Sequence, residues 1–454
     1  MFQTDPLLFL KWGAKLAIPA AKMAHQGYVN ANNREAARQA VQDARRESAV
    51  NRRVYTTDNF QKNNKLLFGG EQLLLLENSE RDIFNFVGQS TINMIISGKN
   101  EDLRNMALAF ACKDAYARSS SVLIVHCGNK KLQNSLTVGP IADKVLLCDG
   151  LRYSYNPFVG MSPMEIAEIV VNSIPDRYQV QPHFSRKLVE VASKLQLCQK
   201  KKFTLKTLSK TPLSNFIDVL DSKLQSRAIS SKQHSDLLSE FASCQTECAR
   251  LQPYLYDLKK QIVNITGKKT PILNLARALE RNRLVMLDAG SSMNDLLIGL
   301  ITEQLREMLR SGKRIVLVLD GIALSANPKL SQMLMQYQEC RFAISSGDLF
   351  ASLGSKEPEF QTLLGSVGRV ALFEHDSPAT CEQWSKYFGE YDNVEYLQGY
   401  SQSSGMVMGT TGTTQQPHKN KARRVRPEDL RNMTSTQMCV YNSDDKMIAF
   451  ADTR

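Results

Sequence analysis

The sequence lacks several features that would assign it to a specialised class of protein. No apolar run approaches the roughly 20 residues that a membrane-spanning helix requires. The nine cysteines are odd in number and scattered, mostly within apolar stretches, which argues against a disulfide framework. Cys244 and Cys248 lie one helical turn apart, but no other Cys/His pair has the spacing of metal ligands. We therefore predict reduced thiols in core positions, a cytoplasmic location and no metal site.

Acidic residues are too few to balance the basic ones. The 454-residue chain carries 57 Lys and Arg against 45 Asp and Glu, which gives a formal net charge of +12 and a pI near 9.2. This excess favours nucleic acid, an anionic membrane surface or an acidic protein as partner, without choosing among them. The length is ample for a large core and predicts a main domain with an elaboration.

The first 53 residues carry two patterns outside the predicted core. Residues 7–24 are apolar but interrupted by lysines and Pro19, which argues against the continuous apolar region of a signal peptide. An amphipathic helix for peripheral contact with the inner face of the cell membrane or with a partner, and a plain packing helix, both remain open. Residues 31–53 are rich in Ala, Arg, Glu and Gln and predict a solvated helix or helical linker.

Short apolar runs alternate with helical patterns over much of the chain. Buried strands are predicted at 92–96, 122–127, 144–150, 315–319 and 369–375. Strands separated by helical lengths indicate an α/β fold with a mostly parallel sheet and right-handed crossovers. Between residues 161 and 279 long helical patterns replace the strands, which predicts an inserted all-α subdomain. Ser162 and Glu165 form a capping box ahead of its first apolar run.

The stretch TINMIISGKNEDLRNMALAFA has the strand–turn–helix frame of a phosphate-binding loop. The motif G-x-x-x-x-G-K-[ST] wraps phosphate with backbone N–H groups and places its lysine and hydroxyl on phosphate oxygens and Mg²⁺. Gly98 takes the first glycine position, but Leu103, Arg104 and Asn105 occupy the positions of the second glycine, the lysine and the hydroxyl. A register with Gly98 and Lys99 as the GK pair fails as well. An ordinary βα turn and a decayed nucleotide site both remain open.

Two later strands end where a nucleotide-hydrolysing protein would place functional groups. The strand IVLVLD ends in Asp320, which would hold the Mg²⁺ shell, but Gly321 stands where a water-orienting Glu is expected. The strand CRFAISS leads into Ser346, Gly347 and Asp348, which offer a hydroxyl and a carboxylate but no Gln to sense a γ-phosphate. A strand ending in Asp is common in α/β folds because helix N-caps favour it, so Asp320 alone is weak evidence.

Two basic clusters stand out in the charge pattern. The densest, in the predicted insertion, comprises Lys200, Lys201 and Lys202. The second lies at the end of a Gly/Ser/Thr/Gln-rich stretch and comprises Lys419, Lys421, Arg423, Arg424 and Arg426. Clustered cations suffice for sequence-independent phosphate contact. Because a solvated loop is the alternative for both clusters, contact with nucleic acid or a partner is a hypothesis here.

The order of these pieces resembles a known family. The strand–turn–helix opening is followed by YNPF at 155–158, the helical insertion, ALERNRLVMLDAG, IVLVLDG, FAISSGDLFASL and a terminal helix and hairpin. This order is similar to that of conjugative coupling proteins of the TraG/TraD type, from roughly residue 66 to the C-terminus. The resemblance implies a RecA-like motor fold of the P-loop NTPase type with an all-α subdomain. Such proteins assemble as a ring and pump DNA or protein through a type IV secretion channel.

The resemblance divides the chain into six segments. They are an N-terminal helical or amphipathic segment and linker (1–65), the first part of the RecA-like domain (66–160), the all-helical insertion (161–279), the second part of the RecA-like domain (280–398), a flexible basic linker (399–422), and a C-terminal helix and hairpin (423–454).

Departures from the family pattern bear on activity. Gly98 and Asp320 match the family, whereas the residues at 103–105, 321 and 347 replace the expected types. Loss of the lysine, the metal hydroxyl and the water-orienting acid removes most transition-state stabilisation, so we predict a pseudo-ATPase without a bound cofactor. In the alternative, ATP with Mg²⁺ is held through Arg104 and Lys99.

Three functions therefore remain. The first is a pseudo-ATPase subunit that joins conjugation or secretion machinery, as a homo- or hetero-oligomer, for substrate recruitment or complex assembly. The second is an active ATP-driven ATPase that translocates DNA or protein with an atypical phosphate-binding loop. The third is a nucleic-acid-binding module on a motor fold.

Overall fold

The computed structural model describes residues 35–56, 66–73, 88–403 and 410–452, without residues 37, 49, 51, 53, 69–70, 139–140, 268–269, 282, 292 and 445. For residues 54–56, 66–68, 71–73, 394–403, 410–418 and 452 only the backbone is described. The described residues form two compact units, one within 1–54 and 388–426 and the other within 55–387 and 427–454. Residues 7–24, predicted to contact a membrane or a partner, lie outside the described residues. In the described ranges, no helix has the length and apolar character needed to cross a bilayer.

The strands follow one another along the chain with helices between them. They are β1 (Val54–Thr56), β2 (Leu66–Phe68), β3 (Glu71–Leu73), β4 (Met94–Ser97), β5 (Ser121–His126), β6 (Val145–Cys148), β7 (Ser154–Tyr155), β8 (Ile272–Leu273), β9 (Leu284–Asp288), β10 (Ile315–Asp320), β11 (Cys340–Ser346), β12 (Arg369–Leu372), β13 (Glu390–Ser403), β14 (Thr410–Arg423), β15 (Gln437–Asn442) and β16 (Met447–Asp452).

The helices are α1 (Glu101–Ala117), α2 (Lys130–Thr137), α3 (Pro163–Ser173), α4 (Pro182–Cys198), α5 (Leu205–Leu208), α6 (Phe216–Gln225), α7 (Ser231–Ala242), α8 (Cys248–Gln261), α9 (Leu275–Glu280), α10 (Asp295–Arg310), α11 (Pro328–Gln336), α12 (Leu349–Ser352), α13 (Glu357–Leu364), α14 (Pro378–Phe388) and α15 (Pro427–Arg431).

A large sheet organises the bigger unit. Its strand order is β1-β16-β15-β12-β4-β11-β10-β5-β9-β6. The strands from β12 to β6 run parallel, while β15 and β16 add an antiparallel hairpin beside β12. The central runs SVLIVH, LVMLD and IVLVLD are buried almost throughout, because helices cover both faces of a parallel sheet. The predicted α/β fold with a mostly parallel sheet is confirmed.

The polar ends of the strands lie next to an apolar core. On one face, the inward residues of β5, β9 and β10 pack against apolar side chains of α1 and α2. Parallel strands all end at the same edge of the sheet, so β4, β5, β9, β10 and β11 present their carboxyl ends together. That edge is where a ligand of an open α/β sheet binds, and it contains the residues singled out in the sequence.

The all-α insertion is present and is tied to the sheet domain at the YNPF segment. Helices α3 to α8 lie between β7 and β8, and Ser162 and Glu165 form the predicted capping box of α3. Asn156 is buried, donates from Nδ2 to the Phe203 carbonyl oxygen at 3.2 Å and accepts from the Leu205 N–H at 3.0 Å. The Asn156 side chain therefore bonds the backbone both just before α5 and at its first residue.

The smaller unit corrects one prediction. Residues 399–422, predicted as a flexible linker, belong largely to β13 and β14, which pair in antiparallel register from Glu390 opposite Arg423 to Ser403 opposite Thr410. Helix covers most of residues 35–48. The Gly, Ser and Thr content of the linker suggested a loop, but cross-strand backbone pairing decides otherwise.

Candidate functional site

The turn between β4 and α1 is built around Gly98. This glycine has φ +137°, a conformation that side chains with a Cβ rarely adopt. A Cβ at this position would lie 2.7 Å from the Cβ of Phe373 and 2.8 Å from its carbonyl oxygen. Close packing against the chain after β12 therefore requires a glycine here, whether or not a phosphate was ever bound.

Three backbone N–H groups at this turn, those of Gly98, Lys99 and Leu103, are already bonded within the protein. The Gly98 N–H donates to the Ser346 carbonyl oxygen at 3.1 Å, and the Lys99 N–H donates to the Glu374 carbonyl oxygen at 2.9 Å. The Asn100 side chain accepts from the Leu103 N–H at 3.1 Å. In a phosphate-binding loop such N–H groups face the anion. Here these three N–H groups donate to protein oxygens instead.

The helix itself begins too early for a phosphate-binding loop. Asn100 is the N-cap of α1, so the helix starts at Glu101, three residues before Arg104, which stands in the position of the motif's lysine. Glu101 and Asp102 are exposed in the first turn, where acidic side chains stabilise the positive end of the helix dipole. Asp102 is paired with Lys131 at 2.8 Å, so the Glu101 carboxylate is the one that repels an incoming phosphate.

The Arg104 side chain points back toward the turn that precedes α1. Its Nη1 donates to the Gly98 carbonyl oxygen, and its Nε donates to Ser345 Oγ at 3.3 Å. Burial lowers the pKa of the guanidinium, while the nearby Asp320 carboxylate opposes that shift. Lys99 points elsewhere, to Asp376 and, at 3.7 Å, to Glu374, and the Asp376 bond raises the pKa of Lys99.

Asn105 and Asp320 are joined through a residue that the sequence did not single out. Asn129 Nδ2 donates to Asn105 Oδ1 at 2.7 Å and to Asp320 Oδ2 at 2.6 Å. Asp320 Oδ1 is buried and has no hydrogen-bond partner among the described residues. The acid expected to hold a Mg²⁺ shell is thus bonded to an asparagine on one oxygen and unpaired on the other.

His126 lies in register between two acids. Its strand partners are Asp320 on β10 and Asp288 on β9. The Asn129 N–H donates to His126 Nδ1 at 3.1 Å, so the neutral imidazole carries its proton on Nε2, which lacks a partner in the described part of the chain. Burial is the main cause that lowers the pKa of His126, against the pull of both carboxylates.

Asp288 is the best-satisfied acid at this edge. It accepts from Lys130 Nζ at 2.8 Å and from the N–H groups of Gly128 at 3.0 Å and Gly290 at 2.9 Å. Burial would raise its pKa, but these bonds and His126 outweigh it and lower the pKa. The sequence signal for His126 and Asp288 was available, since each closes a buried strand, but only register shows that they are neighbours.

The predicted sensor residues Ser346 and Asp348 mainly form hydrogen bonds that fix the local backbone. Asp348 is the N-cap of α12: its Oδ1 accepts from the Ala351 N–H at 3.0 Å and its Oδ2 from Thr380 Oγ1 at 2.8 Å. Ser346 Oγ accepts from the Asp348 N–H at 3.2 Å. Gly321 has φ +70° and donates its N–H to the Ser345 carbonyl oxygen at 3.0 Å.

Gly347 is the exception among these positions. A Cβ added there would lie 4.0 Å from Arg104 Nη1, so Gly347 lies beside the arginine that replaces the motif's lysine.

The two basic clusters lie in different compact units. Lys200, Lys201 and Lys202 follow α4 at the surface of the larger unit. In the smaller unit, Lys421 lies 3.5 Å from Asp392, and Arg424 is only 6% exposed with its Nε bonded to the Arg52 carbonyl oxygen at 2.9 Å. Arg424 is therefore a packing residue rather than a surface contact, which corrects the prediction for that position. Lys419 and Arg426 are exposed, and Arg423 is partly so.

Metal binding has no support in the part of the chain that the structure describes, where no group of three His, Cys, Asp or Glu side chains is placed to hold an ion. Burial also raises the pKa of Cys127, at the same strand edge, to about 12, which leaves its thiol protonated.

Solved structures share this architecture. TrwB, a bacterial conjugative coupling protein, in an unbound form is 15% identical, with 87% of this chain and 88% of that chain covered and a TM-score of 0.53. The chain has the fold of TrwB. TrwB in complex with ADP and Mg²⁺ is also 15% identical, with 86% and 93% coverage and a TM-score of 0.53. No protein-family model and no curated protein matches the sequence.

The likeness to TrwB bears on the fold. It confirms the RecA-like α/β architecture with its all-α insertion and the resemblance to coupling proteins that the chain order indicated. At 15% identity it does not extend to chemistry. The activity must therefore be argued from the residues at the carboxyl edge of the sheet.

Proposed function

We propose that this chain is a catalytically inactive, coupling-protein-like subunit of a conjugation or type IV secretion system, acting in substrate recruitment or complex assembly. The fold shared with TrwB supports the kind of system. The closed turn at Gly98 supports the loss of catalysis. On this proposal the partners are other proteins of the machinery, the chain works in the cytoplasm, and no nucleotide or Mg²⁺ is needed.

The observation that carries the proposal is the bonding of the turn. The N–H groups of Gly98 and Lys99 are bonded to the carbonyl oxygens of Ser346, the last residue of β11, and of Glu374, which follows β12. Binding a phosphate through these two N–H groups would require breaking their bonds, and a buried group left unpaired, as at Gly98, costs about 1–3 kcal/mol. The Glu101 carboxylate adds repulsion to that cost, whereas Asp102 is paired with Lys131. Restoring the motif's lysine alone would therefore not restore binding.

The experiment is calorimetry of ATP with Mg²⁺, with a turnover assay on the same sample. We expect no saturable heat at millimolar nucleotide, for the native chain or for Arg104→Lys. A double variant, Glu101→Gln with Asp102→Asn, serves as matched control, because it removes the repulsion but leaves the turn bonded. It too should fail to bind.

An active ATPase with an atypical loop is the second candidate, favoured by the two cations, Arg104 and Lys99, at the turn. Saturable ATP binding that Arg104→Ala abolishes would support it, and turnover above that of a buffer control would overturn the pseudo-ATPase proposal.

A nucleic-acid-binding module is the third candidate, favoured by the exposed lysines at 200–202. It predicts oligonucleotide affinity that falls steeply and linearly on a log–log plot against salt. A flat salt dependence would argue against it.

A further inference from the structure

The all-α insertion contains a cavity with unbalanced positive charge. It has a volume of about 330 Å³ and lies among α4, α5 and α6. Its lining includes Lys206 and Lys210, and none of its described lining residues carries a carboxylate. A volume of this size is at the lower end for pockets that hold a small organic ligand. It is far in sequence from the turn at Gly98, and no step of the proposed function uses it.

A second, larger cavity shows why this charge pattern is informative. That cavity, of about 480 Å³, is lined by Arg186, Arg306 and Lys329 but also by an acid. Arg186 is paired with Glu168 at 3.0 Å, Arg306 with Glu303 at 2.9 Å, and Lys329 donates to a main-chain carbonyl oxygen. Arg186 and Arg306 are therefore neutralised by carboxylates, and Lys329, whose main-chain acceptor is neutral, lies close enough to Glu303 to lower the pKa of that carboxyl group. With Asp176 also in its lining, this cavity calls less for an anion.

Cations at the smaller cavity lack such neutralisation. Lys206 Nζ donates to the Gly267 carbonyl oxygen at 3.3 Å, a neutral acceptor that leaves its charge uncompensated. Lys210 is exposed, and the described part of the chain provides it with no carboxylate partner. The side-chain amide of Gln196, also in the lining, has no hydrogen-bond partner among the described residues. The cavity lining thus offers three donor groups, from Lys206, Lys210 and Gln196.

The rest of the wall is apolar or internally bonded. Leu195 and Phe216 are 3% and 1% exposed, and Phe216 stacks on Phe241 with ring centroids 4.8 Å apart, so these two lining side chains are held in the packed interior of the insertion. The threonine hydroxyls bond inward: Thr207 Oγ1 donates to the Thr204 carbonyl oxygen at 2.7 Å. They shape the cavity and leave anion contact to the lysines and the glutamine.

We propose that this cavity binds a small molecule with one phosphate or carboxylate group on an apolar body. The anion would be held by Lys206, Lys210 and Gln196, and the body would rest on Leu195 and Phe216. A nucleic-acid backbone needs only surface charge and makes no use of an apolar base, so the compact ligand fits the cavity better. This proposal is independent of the function proposed above.

Phenyl phosphate is the probe, measured by calorimetry on the full chain, with phenol and inorganic phosphate as partial ligands. We expect saturable binding of phenyl phosphate that is stronger than that of either partial ligand. The variant Lys206→Gln with Lys210→Gln should weaken it about fivefold or more. The matched control, Lys200→Gln with Lys201→Gln, removes the same charge outside the lining and should change affinity less than about twofold.

Four results would overturn the proposal. They are no saturable binding at about 10 mM probe, inorganic phosphate binding as tightly as phenyl phosphate, equal weakening in both double variants, and an oligothymidine that competes with a steep salt dependence and requires Lys200 and Lys201. The last would assign the region to nucleic acid. Circular dichroism of both double variants checks that each is folded.

Discussion

Replacing Gly98 by alanine tests whether the turn is held by packing, as described, or open to a ligand. The added Cβ would lie 2.7 Å from the Phe373 Cβ and 2.8 Å from two of its backbone atoms, which cannot swing aside as the end of a long side chain would. Forcing a non-glycine residue into this backbone conformation costs about 1–3 kcal/mol. Overpacking costs about 1–3 kcal/mol more, so we expect a loss of about 2–6 kcal/mol in the free energy of unfolding.

Two other glycines supply the controls, with urea unfolding followed by circular dichroism as the assay. Gly160 has φ +83° but no described atom within 4 Å of an added Cβ, so Gly160→Ala should cost only the backbone strain, about 1 kcal/mol. Gly347→Ala meets only the Arg104 guanidinium, at 4.0 Å, and should be nearly neutral. If Gly98→Ala loses no more stability than Gly160→Ala, the claim that the turn packs closely on Phe373 is refuted.

Two further predictions concern the anchor of the insertion and the buried histidines. Asn156→Ala leaves the Leu205 N–H and the Phe203 carbonyl oxygen unpaired, so urea unfolding should show a loss of about 2–4 kcal/mol. The exposed Asn215→Ala, whose side chain caps nothing, should stay within about 0.5 kcal/mol, and equal effects would refute the anchor role. Burial lowers the pKa of both His126 and His375 below the ordinary 6.5, so the unfolded chain takes up protons first as pH falls. Stability should therefore be constant between about pH 7 and 8 and decline as pH drops below 6.5. A urea midpoint that does not change between about pH 8 and 5.5 would contradict this, and the His126→Gln, His375→Gln variant should flatten the slope.

Local sequence patterns determined most of the architecture. The apolar runs that end in His126, Asp288 and Asp320 identify buried parallel strands, because a strand covered on both faces has no polar alternation to display. The capping box of Ser162 and Glu165 marks the start of α3 for an equally local reason, since its partners lie three residues apart. The departures from a phosphate-binding motif were also readable in the sequence.

Tertiary structure alone decided what those departures mean. The turn at Gly98 is bonded to Ser346 and Glu374, and Asn100 donates to the Ser435 carbonyl oxygen at 2.7 Å across 335 residues. No sequence pattern reports such contacts, because they depend on which strand ends meet at one edge of the sheet. The same holds for β13 and β14, where composition predicted a linker but backbone pairing between distant residues formed a hairpin. The sequence shows which residue types are present. Whether the N–H groups of the turn are free to bind phosphate depends on the acceptors that folding places next to them.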